Sequence, residues 1–137
     1  VPDAHAPTGI AWAYENRTSA IRVPAGSPAA RRIEHRVAGG DVNPYLSLAA
    51  ILGAALDGIA RRAAAPAPIT GNAYAQNLPQ LPGSWAEAIE AFAGSAEMRA
   101  IFPAELIQNY LLTKRQELHY MSELSPEQQV ELYLDTV

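Results

Sequence analysis

The chain has 137 residues, 49% of them hydrophobic and 18% charged, with a formal net charge of −4. That is one domain's worth, or part of a larger domain, and the apolar fraction is ample for a core. The absence of Cys excludes a disulfide framework, a thiol nucleophile and a thiolate metal site, and the net acidity argues against a general nucleic-acid binder.

No apolar run is long enough to span a bilayer and no secretory pattern opens the chain, so the expectation is a cytoplasmic protein without a membrane partner. A first residue of Val rather than Met suits a processed or truncated piece. Charge is distributed unevenly: residues 1–62 carry seven basic and five acidic groups, residues 84–137 three and nine. Positive potential is therefore local to the first half, as a site for a small anion requires.

Residues 1–9, with two prolines and a glycine, read as a loop, and Ile10–Tyr14 as a short strand. Asn16-Arg17-Thr18 fits the N-glycosylation pattern by chance, no secretory signal being present. The stretch from Asn16 to Arg36 holds half of the basic residues: Arg17, Arg22, Arg31, Arg32 and Arg36. Its middle, Pro24–Pro28, reads as a turn between two extended runs, which predicts a hairpin. Side chains alternate faces along a strand. Arg32, Glu34 and Arg36 then share one face, with Ile33 and Val37 turned into a core, and pairing would bring Arg22 beside the Arg-Glu-Arg row. Several guanidiniums around one carboxylate suit a polyanion and a divalent cation. A surface strand with a cross-strand ion-pair ladder fits the same pattern, and periodicity alone does not separate the two.

Asn43 offers an N-cap and Pro44 a first helical position for a helix over Tyr45–Arg62. Tyr45, Leu48, Leu52, Leu56 and Ile59 recur at three and four, and Leu46, Ala49, Ala50 and Ile51 widen the apolar surface, which predicts a largely buried central helix. Asp57-Gly58 interrupts it as a solvated edge or a satisfied buried Asp. Residues 63–83 form a Pro-, Gly- and Asn-rich excursion, long for a structureless loop and expected to be functional or subunit-contacting.

Ser84-Trp85-Ala86-Glu87 is a capping box opening a helix that Gly94 stops, with Trp85, Ile89 and Phe92 on its core face. A further helix runs from Pro103 to about Met121 with Leu106, Ile107, Tyr110, Leu111 and Leu118 inward, and Ser125-Pro126-Glu127-Gln128 caps a last one. His119 reads as a surface residue and His35 as a core or edge residue. No His-Glu-x-x-His pattern or Gly-rich phosphate loop occurs, and one carboxylate, Glu34, does not hold a divalent ion firmly without partners elsewhere.

Four blocks together resemble the C-terminal part of the glutamine synthetase catalytic domain: Asn16 to Pro24, Arg32-Ile33-Glu34-His35-Arg36, Asn43-Pro44-Tyr45-Leu46 and Leu56-Asp57-Gly58-Ile59. Residues 63–137 match more loosely, through Gly71-Asn72-Ala73-Tyr74, Leu81-Pro82-Gly83-Ser84 and the closing helices. The fold this implies is α+β, with a β-hairpin packed on a long buried helix and a helical C-terminal region. Residues 1–62 would carry the nucleotide and metal wall, 63–83 an extended loop and 84–137 the helical part of the same domain.

The resemblance also implies an activity. The parent would be an ATP-dependent carbon–nitrogen ligase that phosphorylates the γ-carboxylate of glutamate and lets ammonia or an amine displace phosphate. It would use ATP with Mg²⁺ or Mn²⁺ and assemble as a homo-oligomeric ring, and the piece alone would be inactive. Arg17 and Arg22 fall on arginines that contact the ATP phosphates and stabilise the transferring phosphoryl group, and Arg32 on one of the nucleotide site. Glu34 falls on a metal ligand, and Arg36 on an arginine beside the substrate glutamate. His5 stands where bacterial members carry a Glu that closes the site and helps deprotonate ammonium. Trp12-Ala13-Tyr14-Glu15-Asn16-Arg17-Thr18 resembles the γ-glutamylpolyamine branch, leaving ammonia and larger amines both open as nucleophiles. Tyr74, near a regulatory Tyr of some members, reads as structural. The rival class is a non-catalytic anion-binding or interaction module.

Overall fold

The computed structural model describes residues 6–134, an α+β arrangement of a three-stranded sheet and five α-helices. The chain forms two compact units. One takes the chain up to Val42 together with Arg62–Gly83; the other takes Asn43–Arg61 together with the chain from Ser84 onward.

The first unit is built on β1 (Trp12–Tyr14), β2 (Ile21–Val23) and β3 (Glu34–His35), in that spatial order. The predicted hairpin is β2–β3, antiparallel, with Ile21 opposite His35 and Arg22 opposite Glu34. Its connection carries a turn of 3₁₀ helix at Pro28–Ala30. β1 runs parallel to β2, pairing Trp12 with Ile21 and Tyr14 with Val23, although only residues 15–20 join them. Parallel strands ordinarily need a crossover of a dozen or more residues. Here Glu15 turns the chain in the left-handed region at φ 52°, and the fully buried Ser19 hydroxyl lies 2.8 Å from the Asn16 carbonyl and 3.0 Å from that of Ile21.

The excursion after residue 62 lines the outer edge of β1. Ile69 N–H donates to the Trp12 carbonyl (3.0 Å), the Trp12 indole N–H to Pro66 (2.8 Å), and Ile10 N–H to Pro79 (2.7 Å). Part of that edge is thereby paired, which lowers the number of its unmet backbone groups. Ala13, Ala20 and Ala73 are the buried apolar residues of this unit. Ile33 and Val37 do not enter a core, contrary to the alternation argument: they are 55% and 43% exposed. Ile33 adjoins the two paired residues of a short edge strand and Val37 lies two positions beyond them, past the end of the ladder.

In the second unit, α1 (Pro44–Ala60) starts as predicted. The Asn43 side chain accepts from the N–H groups of Tyr45 and Leu46, both at 3.1 Å, with Pro44 in the first turn. Its burial is not as predicted. No α1 residue is buried, and Tyr45, Leu48, Leu52, Leu56 and Ile59 are 57–83% exposed. Within its unit α1 packs on the short α3 (Ala96–Ile101), which is too small to cover so wide an apolar surface. α3 itself was not predicted. Its sequence signal is Ser95, whose hydroxyl accepts from Met98 N–H at 3.1 Å.

The other helices are α2 (Trp85–Gly94), α4 (Ala104–Ser122) and α5 (Pro126–Leu134). Ser84 caps α2 through Glu87 N–H (3.2 Å). Ser125 and Gln128 cap α5 reciprocally, the Gln128 side chain accepting from Ser125 N–H at 2.9 Å and Ser125 Oγ from Gln128 N–H at 3.3 Å. Ile89, Phe102, Ile107 and Met121 form the buried centre, and the Phe92 ring meets Tyr110 edge-on at 5.5 Å. No helix among the described residues is long and apolar enough to cross a membrane.

Candidate functional site

The hairpin register sets Arg22 against Glu34, and the side chains follow the backbone. Arg22 Nη1 donates to Glu34 Oε2 at 2.9 Å, and Arg32 Nη2 lies 3.7 Å from Glu34 Oε1. The Arg22 side chain is only 16% exposed, and its Nε is buried without a hydrogen-bond partner among the described residues. A second carboxylate joins it: Glu15 Oε2 accepts from Arg22 Nη2 at 3.1 Å, and Glu15 Oε1 accepts from the Ala25 N–H. The Ala25 N–H, then the Arg22 guanidinium, hold the Glu15 carboxyl below its usual range, and Glu15 followed by Glu34 raises Arg22 further.

The Asn-Arg-Thr segment divides its labour. Asn16 Nδ2 donates to the Gly71 carbonyl (2.7 Å), while its Oδ1 accepts from the N–H and the hydroxyl of Thr18 (2.9 and 2.7 Å). Thr18 Oγ1 in turn accepts from Ala73 N–H at 2.9 Å. The two flanking residues thus tie the loop to the segment around the 3₁₀ turn Ala73–Ala75, and Arg17 between them is left exposed with no ion pair among the described residues. The Asn16 amide is committed to the Gly71 carbonyl. Tyr74 donates its hydroxyl to the Ala6 carbonyl at 2.8 Å, a structural contact.

Arg36 is half-buried and its N–H donates to the Ala20 carbonyl at 2.9 Å; His35 is exposed on the edge strand. His5 lies outside the described residues. His119 is exposed, 3.7 Å from Glu123 one turn on, and Asp57 pairs with Arg61 at the solvated end of α1.

A divalent ion needs several oxygen ligands. No group of three or more His, Asp or Glu able to hold one occurs among the described residues, and Glu34 is already engaged by two arginines. These residues do not by themselves build a metal site. For an anion the fit is better: an exposed Arg17 and a largely exposed Arg32, with the Arg22 guanidinium beside them, are suited to phosphate oxygens. Glu15 is the one residue of the cluster that the alternation argument missed. Finding it requires the parallel β1–β2 register, which so short a connection does not announce.

Comparison with known proteins places these residues in context. The sequence model described as "Glutamine synthetase, catalytic domain" matches residues 1–133. The chain is similar to γ-glutamylethanolamide synthetase GlnA4 of Streptomyces coelicolor, 41% identical over 117 residues, covering 85% of this chain and 25% of that protein. It is 37% identical to the glutamine synthetase of Aquifex aeolicus over 146 aligned residues, covering 98% of this chain and 31% of that one. Among solved structures, a GmaS/ADP complex superposes with a TM-score of 0.77 at 29% identity, over 96% of this chain and 30% of that chain. The chain therefore spans between a quarter and a third of the length of these relatives.

Proposed function

The chain belongs to the glutamine synthetase family, in its catalytic domain, and on that footing we propose that it supplies one wall of the phosphate end of an ATP-dependent glutamate–amine ligase site. The observation that carries the reading is the Arg22–Glu34–Arg32 cluster on the hairpin, with Arg17 exposed on the adjoining loop. The relatives are ligases by name, and one solved neighbour holds ADP.

In the proposed reaction the γ-phosphoryl group of ATP passes to the γ-carboxylate of glutamate, giving an acyl phosphate and ADP. An amine then attacks the carbonyl carbon, phosphate leaves with the bonding pair, and the amine loses a proton. Phosphoryl transfer asks mainly for positioning and charge neutralisation, which fixed guanidiniums provide. Arg17, Arg22 and Arg32 would bear on the nucleotide phosphates, and Arg36 on the glutamate side. Glu34 offers magnesium or manganese a single carboxylate, so the arginines carry the binding argument. GlnA4 is named for an ethanolamide product, which favours an amine larger than ammonia here. A cytoplasmic location and a ring-forming parent rest on the family alone.

The test is made in a full-length family ligase carrying this segment. Arg22→Ala and Glu34→Ala should each lower amine-dependent phosphate release by about 100-fold or more, on the scale of removing one oxyanion-stabilising donor. Retained activity in both variants sinks the ligase role of this wall and leaves a non-catalytic anion-binding or interaction module. The isolated chain should give no γ-glutamyl hydroxamate, and clear turnover would overturn that expectation.

A further inference from the structure

Glu15 is built into the fold by several devices at once. It follows β1 directly and turns the chain at a left-handed φ of 52°, a conformation a side-chain-bearing residue keeps only where its surroundings over-determine it. That turn lets the Glu15 N–H donate to the Val23 carbonyl at 3.1 Å and sends the side chain back across the end of β2. One carboxylate oxygen then takes the Ala25 N–H and the other takes Arg22 Nη2.

A surface ion pair contributes little, and that would be the plain account of Glu15 and Arg22. The surroundings of the guanidinium say more. Arg22 is clamped on two sides by different carboxylates, Glu15 at 3.1 Å and Glu34 at 2.9 Å, with a side chain that is mostly buried. A planar fork held at both η nitrogens cannot turn about its Cζ–Nε bond without breaking one of these bonds. Each η nitrogen gives one N–H to a carboxylate, and the second keeps a fixed direction.

We propose that Glu15 is a positioning residue. It sets the plane of the Arg22 guanidinium so that the second N–H of each η nitrogen presents to a polyphosphate, while Arg22 makes the contact. This rests on the phosphate-wall reading above and names the residue that orients the wall.

The test uses this chain with inorganic tripolyphosphate as probe, and two variants. Glu15→Gly accepts the left-handed backbone without strain, so it keeps the fold while removing the carboxylate. Glu15→Gln keeps an acceptor and loses the charge. Binding is followed by calorimetry, and the Arg22 side chain by nitrogen-detected NMR of its η signals, which are resolved only when the fork does not rotate. Wild type should show resolved Arg22 η signals and saturable binding. Glu15→Gly should keep the backbone spectrum, average the η signals and bind about tenfold more weakly, with Glu15→Gln in between. Equal or tighter binding by Glu15→Gly, or η signals that stay resolved, overturns the proposal. If wild type itself does not bind tripolyphosphate, the phosphate-wall reading fails instead, and the Arg22 signals still decide whether Glu15 fixes the fork.

Discussion

Thr18 Oγ1 accepts a hydrogen bond from the backbone N–H of Ala73, 55 residues further along, at 2.9 Å. Ala73 is 5% exposed, so this N–H has no ready replacement in water. Its loss should cost about 1–3 kcal/mol, the penalty for an unmet buried donor. Thr18→Ala should therefore lower the unfolding free energy of the sheet unit by that amount, whereas Thr18→Ser, which keeps the oxygen, should lose well under half of it. Chemical denaturation of the two variants checks this. Equal losses would show that the methyl group, not the hydroxyl, holds the loop.

The second unit should weaken in acid through Glu117. Burial alone would raise its carboxyl, but the Lys114 ammonium at 2.7 Å and the Tyr133 hydroxyl outweigh that and hold it below the ordinary value of 4.5. A carboxylate depressed in the folded state adds stability above its unfolded pKa, and that share is lost as pH falls through the folded pKa. Stability followed from pH 7 downward should therefore begin to drop near 4.5 and continue below it. Glu117→Gln should flatten this limb, and Tyr133→Phe should shift its lower end upward. An unchanged acid limb in Glu117→Gln would refute the assignment.

How far the sequence was legible varies with the kind of regularity involved. Capping chemistry is local, so Asn43, Ser84 and Ser125 marked their helices correctly. The hairpin itself was legible from Pro24–Pro28 and the alternation around Glu34, while its register, which sets Arg22 opposite Glu34, is supplied by the structure, where the connection runs on to Ile33. Burial is not local. Periodicity identifies the apolar stripe of α1 but not whether a second layer covers it, and the same holds for Ile33 and Val37. Glu15 was hidden for a related reason, since its partners depend on a parallel pairing made over six residues.

That uncovered stripe makes a prediction of its own. Leu52 and Leu56 are 60% and 66% exposed, and surface substitutions of this kind usually change stability by no more than about 0.5 kcal/mol. Leu52→Gln combined with Leu56→Gln should therefore leave the melting temperature almost unchanged while reducing binding of a hydrophobic dye and self-association in sedimentation. A large loss of stability would mean that the stripe is packed in solution.

Two glycines of α1 should respond differently to alanine. At Gly58 an added Cβ would meet nothing within 4 Å, so only helix propensity acts, and Gly58→Ala should stabilise by about 0.8–1 kcal/mol. At Gly53 the same Cβ would lie 2.7, 2.8 and 2.9 Å from three side-chain carbons of Ile101 on α3. Ile101 is β-branched and half-buried, so it has few rotamers in which to move aside. Overpacking costs about 1–3 kcal/mol against the same propensity gain, leaving Gly53→Ala neutral to destabilising by up to about 2 kcal/mol. Shortening the neighbour separates the two terms. In an Ile101→Ala background the clash is gone, and Gly53→Ala should become stabilising, giving a coupling of about 1–3 kcal/mol in the double-mutant cycle. If the two substitutions prove additive, α1 and α3 do not pack through Gly53 and Ile101.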